Sequence, residues 1–183
     1  MREHQRIYNR ECMISHPPVY RTEEPVFYRC PVCGLVEIRI RPSLDPAVNW
    51  EDTEGAGCCC GQPMVRLSAK SQKDDPEHEM KFCIFGGFAN NTVRVEVREG
   101  FHPMDEEHHI EWIFLRTYQG GQMKYLPLRG ESATLFALAN EDAYSFCNRE
   151  ACRMGWEHCL FQCKQGHVAY AYCNRHGLYQ LTF

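Results

Sequence analysis

The chain has 183 residues with a formal net charge of −4, and twelve cysteines and nine histidines stand among them. That length holds one ordinary domain plus a small appendage, or two small domains. The acidic balance gives no basic stripe and argues against nucleic acid as a partner. No apolar run is long enough for a membrane span and the start MREHQRIYNRE is too polar for a signal peptide, so a cytoplasmic protein is expected. Cysteine usage this high without a secretory signal points to metal rather than disulfides.

Residues 1–25, ending in HPPVYRTEEP, read as a loosely held polar arm in which His4, Cys12 and His16 have no partner at ligand spacing. Residues 26–66 give a short strand, VFYRC, then PVCG, the alternating LVEIRIR, an acidic loop and GCCCGQPM. So small a unit needs a metal or disulfide staple. Two residues between Cys30 and Cys33 let the chain turn and aim both thiolates at one ion, and a second pair comes from Cys58, Cys59 and Cys60. A tetrahedral four-sulfur site takes zinc or a single iron, and spacing alone favours zinc.

Residues 67–77 read as a charged linker. From 78 to 183 period-2 segments follow one another: EMKFCIF, NTVRVEV, HIEWIFLRTY, MKYLPL, ATLFAL, HVAYAYC and GLYQLTF, with turns such as FGGFANN between them. The predicted fold is mainly β, a small metal knuckle followed by an immunoglobulin-like antiparallel β-sandwich. Cys83, Ile110 and Trp112 are expected in its core. Residues 147–165 break the pattern as a helical or irregular insert, where Cys147, Cys152, Cys159 and Cys163 follow no standard spacing. Buried thiols, redox thiols and a third metal site all remain open for them. AYSFCNRE at 143–150 and AYAYCNRH at 169–176 match over a short window, through a local duplication or by chance.

The stretch FHPMDEEHHIEW at 101–112 places His102 and His108 in a proline-interrupted loop, and CNRHGLY at 173–179 sets Cys173 three residues before His176. On a straight strand that offset would put the two side chains on opposite faces, so a turn after Cys173 is expected.

These two stretches resemble the signatures of the superoxide reductases, the desulfoferrodoxin and neelaredoxin family. YRCPVCG with CCGQPM resembles the desulforedoxin-like domain of its two-iron members, a rubredoxin-like knuckle, and the resemblance runs over residues 26–183 outside the insert. It implies an active non-haem iron held by four imidazoles and one axial thiolate, with Cys173, His102, His108 and His176 at matching positions and His78 as the fourth histidine. It makes Cys59 and Cys60 the second thiol pair, leaves Cys58 over and moves the knuckle from zinc toward iron. His109 stands where the family has an aromatic residue. Asn174, with the amides after Cys173, would donate hydrogen bonds to the sulfur.

The implied activity is one-electron reduction of superoxide to hydrogen peroxide. Re-reduction would come through the four-cysteine iron or an external donor such as a rubredoxin, in a protein able to form a homodimer. The chain departs from the family before His78, where Pro76 and Glu77 replace a Glu-Lys pair and Lys73 is the nearest cation. Glu77 or Glu107 is the candidate acid for the open position on iron. Two alternatives remain: an iron-binding electron-transfer or redox-sensing protein without fast turnover, and a zinc-stapled structural module.

Overall fold

The structure is a computed structural model that describes residues 20–42, 57–72, 75–85, 92–138, 142 and 166–183. Lys73, the insert cysteines and the first copy of the repeat lie outside the described residues.

All seven predicted sandwich strands are present. A five-stranded sheet is ordered β10 (Gly121–Tyr125), β9 (Ile110–Arg116), β12 (Val168–Cys173), β13 (Gly177–Thr182) and β6 (Lys70–Ser71). The first four pair antiparallel, and β6, from the segment read as linker, adds parallel to β13 through Tyr179 and Gln180. Facing this sheet is a three-stranded one, ordered β11 (Ala133–Ala137), β8 (Thr92–Val97) and β7 (Met80–Phe85). Val93, Val95 and Val97 alternate with polar residues along β8 and are fully buried, so this sheet has one wet face and one dry one. They meet Ile113, Leu115, Ala169, Ala171, Phe136 and Tyr179 in the sandwich core. Cys83 is exposed, contrary to its expected core position, because Met80 and Ile84 take the inward positions of β7 and leave it the outer face.

The other face of the large sheet is also covered. A second three-stranded sheet, β2 (Val36–Arg39), β1 (Val26–Arg29) and β5 (Val65–Leu67), lays Phe27 against it. Phe27 stacks on Trp112 at 5.3 Å and meets Phe114 edge-on at 5.4 Å. Strand β9 is therefore buried on both sides, which explains its unbroken apolar run WIFL. Trp112 belongs to this second core, while Ile110 belongs to the sandwich core. Plain alternation would put both on one face. The register separates them: Tyr172 pairs with Trp112 and Cys173 with Ile110, so Glu111 is the extra residue of a β-bulge.

Residues 20–25 pack on the sandwich. Arg116, 6% exposed, donates to the Thr22 carbonyl at 2.7 Å, and the Tyr20 hydroxyl donates to the Gly166 carbonyl at 2.7 Å.

Candidate metal centres

The knuckle is built on the end of β1. The Gly34 amide donates to the Cys30 carbonyl at 3.1 Å and the Cys30 amide to the Leu35 carbonyl at 2.9 Å, turning the chain so that Cys30 and Cys33 face one point. Gly34 has φ +76°, and a Cβ there would stand 2.9 Å from Arg29 Nη2, so both the turn and the packing ask for glycine. A tight hairpin of β3 (Cys58–Cys59) and β4 (Gln62–Pro63) supplies the other side. The sulfurs of Cys30, Cys33, Cys59 and Cys60 lie within 4.8 Å of one another, and Cys58 is exposed outside the group. Sulfur separations of 3.5 Å (Cys33 to Cys59) and 3.8 Å (Cys59 to Cys60) approach the edge, about 3.8 Å, of a tetrahedron with metal–sulfur bonds of about 2.3 Å. The Cys33 amide above all pulls the Cys30 thiol below its ordinary value, while bonding to the Cys33 and Cys30 sulfurs pushes Cys59 well above. Four thiolates at this spacing need a cation among them, so the set fits a tetrahedral zinc or iron.

The second group stands at one end of the sandwich. Strand β12 ends at Cys173, residues 174–176 turn, and β13 starts at Gly177, whose φ of +89° closes the hairpin opposite Cys173. That turn brings Cys173 Sγ to 3.4 Å from His176 Nδ1. His102 and His108 are held by a second tight turn, in which Asp105 Oδ1 accepts from the amides of Glu107 at 2.9 Å and His108 at 2.7 Å, and Met104 bridges to His109. His78 closes a short 3-10 turn, Pro76–His78, with proline at its start.

One ligand atom from each of His78, His108, Cys173 and His176 lies within 4.8 Å of every other. His102 completes a closed ring of imidazoles. Neighbouring ring centroids are 4.9 Å apart for His78 and His102, 4.5 Å for His102 and His108, 4.8 Å for His108 and His176, and 4.8 Å for His176 and His78, against 6.2 Å across the ring from His78 to His108.

The tautomers follow from the partners. His102 Nδ1 lies 2.7 Å from the Pro103 carbonyl and His78 Nδ1 lies 2.9 Å from Asp75 Oδ2, so both Nδ1 atoms carry the proton and donate. Both Nε2 atoms then present lone pairs, yet they face each other at 3.2 Å. Among the described residues His108 Nε2 is buried without a partner. Burial first, then the neighbouring rings, hold His102 down to about 4 and keep His108 and His176 below their ordinary values, so these rings do not supply the missing proton near neutral pH. Lone pairs converging without a hydrogen fit a bound cation. Burial pushes the Cys173 thiol up and the Arg175 and His176 amides oppose it, so a thiolate there also calls for metal charge.

Other expected residues take different places. Asn174 does not spend its side chain on the sulfur. Its Oδ1 accepts from the His109 amide at 2.9 Å and its Nδ2 donates to the Glu107 carbonyl at 3.1 Å, tying the cysteine hairpin to the histidine loop. The amides beside the sulfur are those of Arg175 and His176. Glu77 turns its carboxylate to Arg98 Nη1 at 2.6 Å. Lys70 donates to the His176 carbonyl at 2.6 Å. Sequence reasoning missed Asp75 and Tyr179. Asp75 stands three residues before His78, the spacing of a turn contact, but nothing local marked Tyr179 as its partner.

A β-sandwich with one ring of imidazoles beside a thiol, and a separate knuckle of four thiols, defines a class of β proteins carrying two groups of metal-ligand chemistry. Residues 87–182, just over half of the chain, match the family model described as Desulfoferrodoxin, and the chain belongs to that family. The matched span holds His102, His108, Cys173 and His176, while His78 and the knuckle precede it. A desulfoferrodoxin homolog of Archaeoglobus fulgidus is 28% identical over 160 residues, covering 87% of this chain and 98% of its own. A second, from Methanothermobacter thermautotrophicus, is 39% identical over 95 residues, and the chain spans only 64% of its length. The superoxide reductase from Treponema pallidum shares the fold with a TM-score of 0.59 at 22% identity, covering 87% of this chain and 98% of that one. Among the described residues no helix is long and apolar enough to cross a membrane.

Proposed function

We propose that the protein is a superoxide reductase, an enzyme that reduces superoxide to hydrogen peroxide at an iron held by His78, His102, His108, His176 and Cys173. The observation that carries this reading is the closed ring of four imidazoles with a thiol beside it. Such a set offers five ligand atoms to a metal that prefers six. Iron bound there supplies one electron to superoxide, which with two protons becomes hydrogen peroxide, and the thiolate raises its donor strength.

The chain's own residues prepare that reaction. The Pro103 carbonyl and Asp75 fix the His102 and His78 tautomers, so that their lone pairs face the centre. The ring is deep on the His78 and His102 side and exposed at His176, so water reaches it there and delivers the protons. The molecule is net negative, and Lys70 and Arg175 place positive charge beside His176, which favours approach of a small anion. Cys30, Cys33, Cys59 and Cys60 would hold an iron able to return the electron, and an external donor such as a rubredoxin would supply it otherwise. A cytoplasmic location and a homodimer belong to the same reading.

A second reading, an electron carrier or redox sensor of the same family, draws on one observation. The position before His78 holds Glu77, engaged with Arg98, and so brings no free cation to the site.

Cys173→Ser tests the centre. Iron-loaded protein, once oxidised, is expected to show a low-energy thiolate-to-iron charge-transfer band that the variant lacks. An unchanged spectrum would remove Cys173 from the ligands and with it the reductase reading. Timing the bleaching of added superoxide by the reduced protein then separates enzyme from carrier.

A further inference from the structure

Behind His78 stand two groups that hold no place among the five ligands, the buried Tyr179 and the partly exposed Asp75. The Tyr179 ring lies flat against the imidazole, with centroids 4.2 Å apart and 3° between the planes. Its hydroxyl donates to Asp75 Oδ2 at 2.7 Å, and the same oxygen accepts from His78 Nδ1 at 2.9 Å. Tyr179 is 3% exposed and His78 is 2% exposed. Three residues from two elements come together here. Asp75 precedes the 3-10 turn, His78 ends it, and Tyr179 comes from β13, 104 positions away in sequence from its hydrogen-bond partner.

A carboxylate that accepts from the remote nitrogen of a ligating imidazole draws its proton away, gives the ring imidazolate character and strengthens its lone pair toward the metal. A second donor on the same oxygen weakens that pull, because the oxygen's electron density is shared between two hydrogens. Asp75 and Tyr179 therefore act on His78 in opposite directions. Resting on the five-ligand reading above, we infer that Asp75 and Tyr179 are positioning residues that set the electron-donor strength of His78, the carboxylate raising it and the hydroxyl restraining it. The ring stack contributes a separate part: it holds the imidazole plane so that neither substitution of a polar atom has to swing the ligand.

The centre's reduction potential reads this directly, because a stronger donor favours the ferric state. The test uses the full-length iron-loaded protein and an optical redox titration of the thiolate band at fixed pH, on the parent, Asp75→Asn, Tyr179→Phe and the double variant. Both changes keep shape and the stack, and a thermal melt of each variant records any loss of folding independently. Asp75→Asn is expected to shift the potential positive. Tyr179→Phe is expected to shift it negative, and the double variant should match Asp75→Asn alone, since the hydroxyl acts only through the carboxylate. Potentials that stay put, move the same way in both single variants or add in the double variant overturn the inference and leave the five-ligand reading standing. A parent protein without the thiolate band overturns both.

Discussion

Ser132 shows how much of the imidazole ring depends on groups that carry no signature of their own. Its hydroxyl accepts from the His102 amide at 3.0 Å and donates to the Val97 carbonyl at 2.8 Å, with the residue fully buried. Ser132→Ala strands one donor and one acceptor away from water, at about 1–3 kcal/mol. Denaturant unfolding should show the midpoint fall with an unchanged slope, and a loss well under 1 kcal/mol would mean that water replaces the hydroxyl. At this scale the sequence was informative where chemistry is local. Cys30 and Cys33, or Cys173 and His176, sit at spacings that a single turn can converge. Ser132 and Tyr179 were illegible because their partners are distant in the chain, and a lone serine or tyrosine looks like any other residue in or beside a strand, whereas Asp75 stood at turn spacing from His78 and only its second partner was out of sight. Asn174 was legible as a turn residue, but its destination on the His109 loop follows from how two hairpins meet.

At the scale of elements, alternation placed the sandwich strands because a sheet with one wet face must write that face into its sequence. The bulge at Glu111 left no such trace. It costs one residue of register and transfers Trp112 to the face opposite Ile110, and with it the ring that receives Phe27. Phe27, 1% exposed, packs against Trp112, Phe114 and Tyr170, so it joins the knuckle sheet to the large sheet. Phe27→Ala should cost about 3–5 kcal/mol, the range for truncating a buried aromatic residue. Because the lost contacts lie between the two sheets, unfolding of the intact chain should move to lower temperature as one transition. A variant that melts like the parent would show that the knuckle sheet is held by its metal alone.

For the whole molecule, the large sheet is a shared wall with the sandwich core on one face and the knuckle sheet on the other, while the imidazole ring closes the end of the sandwich. The composition announced two metal groups but not this arrangement, since period-2 patterns say which residues are buried and not against what. One consequence is global. Folding gathers His102, His108 and His176 where burial and mutual repulsion favour the neutral rings, most of all at His102, held down to about 4 from an ordinary value of 6.5. A folded pKa below the unfolded one means that the unfolded chain binds more protons between the two values, so stability falls as the pH drops through that interval. In metal-stripped protein the contribution of His102 is fully present above about pH 6.5 and is lost progressively on the way to pH 4. Thermal melts of that form should therefore move down between pH 6.5 and 4.5, and His102→Asn should flatten the dependence by removing one proton of uptake. Equal slopes for parent and variant would place the titration elsewhere. Metal loading should deepen the fall, because protons and the ion compete for the same nitrogen lone pairs.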